Sequence, residues 1–100
     1  MSELCLLVLV APPQLEEPLV DFLLEKEGFS GFSLQRIQGS PAQETLTLSE
    51  QVTGRKKQVM FQVHAGCAEA RQLVAKLGED FRGAGLHYWI APLIEAGPIP

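Results

Sequence analysis

Apolar residues fall in blocks whose spacing changes along the chain. Leu4 to Val10 (LCLLVLV) is a continuous apolar run, closed by Pro12-Pro13. Its length, its valines and the Pro-Pro stop predict a strand buried on both faces. Leu15, Leu19, Phe22 and Leu23 then recur at helical spacing and predict a first amphipathic helix. Pro18 falls in its first turn, where a missing N–H costs little, and Glu16 and Glu17 sit at the positive end of its dipole. Gly28 closes it. Phe29 to Ile37 alternates only in part, as a half-exposed edge strand does. Gln58 to His64 alternates cleanly, with Val59, Phe61 and Val63 on one face and Met60, Gln62 and His64 on the other. Ala70, Leu73, Val74, Leu77 and Phe81 predict a second helix that ends at Gly83-Ala84-Gly85. Leu86 to Ile94 (LHYWIAPLI) predicts a last strand, with Pro92 marking an edge or a bulge, and 95–100 is a Gly/Pro tail.

Strand, helix, strand, strand, helix, strand in one domain over residues 1–100 predicts an α+β, ferredoxin-like β-α-β-β-α-β fold. The sheet would be antiparallel, in order 4-1-3-2, with both helices on one face. Strands one and four are apolar on both sides, and His87, Trp89 and Ala91 alternate with Leu86, Tyr88 and Ile90. A monomer would leave one apolar face wet, so a homo-oligomer packed through the helix-free face is expected, with a trimer as the subunit number. Between strands two and three runs a polar connection, Gln38 to Lys57 (QGSPAQETLTLSEQVTGRKK). Loops of that length in a small domain are commonly functional. Thr47-Leu48-Ser49-Glu50 has the capping-box form and predicts a short helical turn over about Leu48 to Val52. Glu44, Leu48, Glu50 and Gln51 are the candidate contacts to a protein partner.

Charge narrows the partners. The formal net charge is −4, and the first 34 residues set Glu3, Glu16, Glu17, Asp21, Glu25 and Glu27 against Lys26 alone. Nothing forms the basic face that a phosphate backbone needs, so nucleic acid is not expected. Arg55-Lys56-Lys57 is the one basic run and reads as a solvated strand entry. The Leu4–Val10 run is too short for a signal or a membrane helix, so no membrane insertion and a cytoplasmic location are expected. Two cysteines in such a chain are not expected to make a disulfide framework. The proposed topology pairs strands one and three, which brings Cys5 towards His64 and Cys67. His64-x-x-Cys67 can chelate, and thiolate with imidazole suits Zn or Cu(I); the competing reading is a pair of core cysteines. His87 enters the sheet at the opposite edge and belongs to an interface or to symmetry mates. No nucleophile stands with evident base and acid partners, so no enzyme activity is expected.

The fold order, the long connection and the Gly-rich turn resemble the PII-type signalling proteins and their CutA-type relatives. LSEQVTGR (Leu48 to Arg55) with GLHYWIAPLIEAG (Gly85 to Gly97) looks like a small family of uncharacterised bacterial PII-like proteins, whose members often lie beside heavy-metal efflux genes. That resemblance implies a homotrimer, a partner-contacting loop and clefts between subunits for an adenine nucleotide. The chain departs from the pattern in three places. Leu86 and His87 stand where a lysine normally follows the glycines, EAGPIP replaces the basic residues beyond strand four, and the tyrosine of the PII loop has no counterpart, since Tyr88 lies in a strand. Arg55, Arg82 and His87 are left as effector contacts. The expectation is a non-catalytic PII-like regulatory or adaptor protein that works by loop switching. Its alternatives are a metal-binding, CutA-like tolerance protein using Cys5, His64 and Cys67, and a structural oligomer without ligand. The cofactor stays open between an adenine nucleotide and a transition metal.

Overall fold

The structure, a computed structural model, describes residues 3–26, 29–39 and 56–100. In chain order these form strand β1 (Leu4–Ala11), a 3-10 turn (Pro13–Leu15), helix α1 (Glu16–Leu24), strand β2 (Phe29–Gly39), strand β3 (Lys56–Gly66), helix α2 (Cys67–Asp80) and strand β4 (His87–Pro92). The strands make one antiparallel sheet in order β2-β3-β1-β4, which is the expected order read from the other edge. The half-alternating strand and the proline-bearing strand are its two edges. A break in register between Phe29 and Phe32 spans Gly31 in the outer strand β2.

Two boundaries differ from the sequence reading. The β2–β3 ladder continues past the apolar residues to Gln38↔Lys57 and Gly39↔Lys56. Main-chain pairing at a sheet edge needs no apolar side chains, so hydropathy does not mark its end. Likewise β3 runs on to Gly66 and α2 begins at the next residue, where the Cys67 amide donates to the Glu3 carbonyl at 3.0 Å. The capped turn expected at Leu48–Val52 lies outside the described residues, as do Glu44, Leu48, Glu50, Gln51 and Arg55.

Alternation separates the two faces of the sheet. Leu7, Leu9 and Ala11 pair with Val63, Phe61 and Val59 and face the helices. Leu19, Phe22 and Leu23 of α1, with Ala70, Leu73 and Leu77 of α2, close over them. Their 3–4 spacing turns one stripe of each helix inward. Phe22 meets Phe81 edge to face at 5.7 Å, which fastens α1 to the end of α2. An Arg36–Glu16 ion pair of 2.9 Å joins edge strand β2 to the start of α1; with Arg36 three-quarters exposed it contributes little to stability.

The helix-free face carries Leu6, Val8 and Val10 of β1, flanked by apolar Met60, Trp89 and Ala91 and by polar Gln62, His64 and His87. Val8 and Val10 are buried among their neighbours' side chains, while Trp89 is half exposed. β1 is thus apolar on both sides, as its continuous run predicts. No helix among the described residues is long and apolar enough to cross a membrane.

Candidate functional site

Four chain segments meet at one end of the sheet. There β1 ends (Ala11↔Val59, Val10↔His87), β2 ends, β3 begins and β4 begins. α2 stops at Asp80, and the Phe81 and Ala84 amides close its last turn on the Leu77 and Phe81 carbonyls. The chain then reverses through Gly83 (φ +75°) and Gly85 (φ +87°), a left-handed backbone that a side chain would strain. That explains the Gly-Ala-Gly spacing directly before β4.

The reversal frames a cavity of about 360 Å³ whose lining includes Leu9, Leu77, Phe81, Arg82, His87 and Tyr88. Arg82 and His87, separated by five positions in sequence, are therefore brought to one cleft. Arg82 also lies just past the C-terminus of α2, where a cation offsets the negative end of the helix dipole. Any anion held here needs the Arg82 side chain and the turn amides, because the α2 dipole opposes it and His87, paired with Val10, turns its side chain towards the helix-free face.

A second cavity, of about 330 Å³, opens at the base of the 40–55 segment between Pro13, Glu16, Arg36 and Lys57. The Pro12-Pro13 step lies between the two cavities. Pro13 lines the second, and Pro12 lies close enough to Gly85 that a β-carbon there would touch its ring at 3.5 Å. The expected effector residue Arg55 immediately precedes β3 in sequence and lies outside the described residues.

The cysteines sit at the other end of the sheet. Cys5 pairs across the ladder with Ala65, two residues before Cys67, and the two sulfurs are joined in a disulfide with Cα atoms 5.0 Å apart. This corrects two expectations. The pair does form a disulfide, because the β1–β3 register sets the two backbones at bridging distance. His64 does not complete a three-residue set with it. His64 pairs with Leu6, so it faces the helix-free side while Cys5 and Ala65 face the helices. Among the described residues no group of three or more His, Cys, Asp or Glu side chains could hold a metal.

The profile of a family described as "Protein of unknown function (DUF3240)" matches residues 1–100. The chain belongs to the DUF3240 family. A DUF3240 protein from Shewanella baltica, known from a crystal structure, is 28% identical over the whole of both chains with a TM-score of 0.80. The fold extends beyond the family. A PII-like signalling protein from Thermus thermophilus is 16% identical, with 92% of this chain and 88% of that chain covered and a TM-score of 0.66. A nitrogen regulatory PII-like protein from Thiomonas intermedia, bound to ADP, AMP and bicarbonate, is 14% identical over 96% of each chain with a TM-score of 0.70. No curated protein matches the sequence. The DUF3240 chain is thus PII-like in fold, as its strand order and Gly-rich turn suggest.

Proposed function

We propose that this DUF3240 protein is a non-catalytic, cytoplasmic PII-like regulator or adaptor that assembles as a homotrimer. It takes a small anionic effector at the Gly83–Gly85 turn and passes the occupancy to a protein partner through the 38–57 segment. The observation that carries this reading is the convergence at one sheet end of the turn cavity, with Arg82 and His87, and the base of that segment, with Pro12-Pro13 between them. The ligands of the Thiomonas intermedia neighbour, ADP, AMP and bicarbonate, give the chemical class to test first. A switch of this kind requires that the effector bind the two states of the segment with different affinity.

Titration calorimetry with ADP, AMP and bicarbonate is the test. Binding of at least one is expected, and Arg82→Ala should weaken it by about tenfold or more, since a hydrogen bond to a charged group contributes about 1.5–3 kcal/mol. Equal affinity in the variant would move the site away from the turn, and no binding by any of the three would remove the effector reading. Partner capture that survives deletion of 42–50 would remove the adaptor reading.

A further inference from the structure

We propose that Cys5 and Cys67 form a reversible redox couple that controls how firmly the far corner of the fold is held. The couple lies six positions along β1 from Ala11, about 20 Å from the effector end, so it does not rest on the effector reading. Three chain segments meet at this corner. The Cys67 amide at the start of α2 donates to the Glu3 carbonyl at 3.0 Å. Past β4, the Leu93 amide donates to the Leu4 carbonyl at 2.9 Å and so anchors the tail that carries the fully exposed Ile94 and Ile99. The disulfide ties the first of these segments to the second across a separation of 62 residues, and Cys5 pairs with Pro92 of the third.

Ladder register sets Cys5 opposite Ala65, and α2 starts two residues on, so strand pairing and the start of the helix together hold the two cysteine backbones at bridging distance, with Cα atoms 5.0 Å apart. Both residues are buried, at 3% and 7% exposure, but they lie beneath exposed Glu3 and Leu4 at a strand end, where local opening is cheap. The couple rests on the cytoplasmic location proposed above, where a disulfide is commonly a redox-sensing one.

The structure holds the joined form. Closure uses glutathione disulfide as oxidant. The Cys67 thiolate, at the start of α2, attacks one glutathione sulfur and releases one glutathione thiolate. The Cys5 thiolate then attacks the Cys67 sulfur and releases the second. The two protons lost by the protein thiols pass to the two glutathiones, and two electrons move from the protein pair to the oxidant. Reduction is the reverse.

The full chain, equilibrated in stepped glutathione buffers, acid-quenched and alkylated, should pass between zero and two modified thiols within the cytosolic range of potential. Both forms should share one far-UV spectrum. In the reduced form the Leu93 and Cys67 amides should exchange roughly tenfold faster or more, with Val63 unchanged. A pair that stays closed or stays open at every ratio, unfolds on reduction, or exchanges equally in both forms would overturn the proposal. The double variant Cys5→Ala/Cys67→Ala should show the fast exchange whatever the buffer, and slow exchange in it would also count against the couple. Should that variant fail to fold, opening the native chain with a thioredoxin-type dithiol makes the same comparison without substitution.

Discussion

Phe61→Ala is expected to lower the free energy of unfolding by about 3–5 kcal/mol, the range for removing a buried aromatic side chain. Phe61 is fully buried at the centre of β3, paired with Leu9 on one side and Leu34 on the other. Its ring lies 6.0 Å from that of Phe32, so the truncation also leaves an edge strand without its inner aromatic partner. The surrounding strands are held in register and cannot close the gap, which adds a cavity term to the lost transfer energy. Small domains are stable by only about 5–15 kcal/mol, so the variant should be close to unfolding at ambient temperature. Urea denaturation checks it: the midpoint should fall sharply while the slope is kept. A shift worth less than about 1 kcal/mol would mean that β3 does not form the centre of the core.

The sheet order was legible because each face of each strand has its own composition. Val59, Phe61 and Val63 against Met60, Gln62 and His64 define which side β3 buries, and the structure places them as that alternation requires. The same parity carried the answer for the cysteines. Cys5 lies in phase with Leu7 and Leu9, and His64 lies out of phase with Val63, so the two could not share a side of the sheet. Ladder pairing brings His64 close to Cys5 along the strands, but the pleat sets the two on opposite sides, which removes the chelating geometry that the His-x-x-Cys spacing suggests. What hydropathy could not mark was the end of a polar ladder at Gly39↔Lys56 or the strand-to-helix junction at Gly66, since both are set by main-chain hydrogen bonds. The cleft at Arg82 and His87 was legible only as a glycine turn with charge nearby. Its depth comes from Leu9 and Leu77, which meet only after folding.

Trp89→Glu is expected to convert the assembly to monomers, and the argument rests on what a single chain leaves uncovered. Trp89 is the only tryptophan, it lies opposite Val8 in edge strand β4 on the helix-free face, and half of it is open to solvent in the isolated chain. In a monomer the substitution costs only the packing of the covered half of the side chain, roughly 2–3 kcal/mol, which leaves the single chain folded if its stability lies in the usual range for a small domain. In an oligomer packed through this face the substitution would remove the burial of the half of the side chain still open in the single chain, up to about 75–125 Å² or roughly 2–3 kcal/mol at 25 cal/mol per Å². It would also seat an unpaired carboxylate beside Val8 in the covered face, which adds several kcal/mol at each contact. Light scattering should therefore give the wild-type protein about three times the 10.9 kDa chain mass and the variant a single chain mass with an unchanged far-UV spectrum. The tryptophan supplies an independent readout, because its emission in the wild type should shift to the red on dilution as the face becomes wet. A wild-type mass of one chain would show that β1 is two-sided without a partner, and an oligomeric variant would show that the partner sits on another surface. The two failures are distinct, so the experiment separates the assembly from the face proposed to hold it.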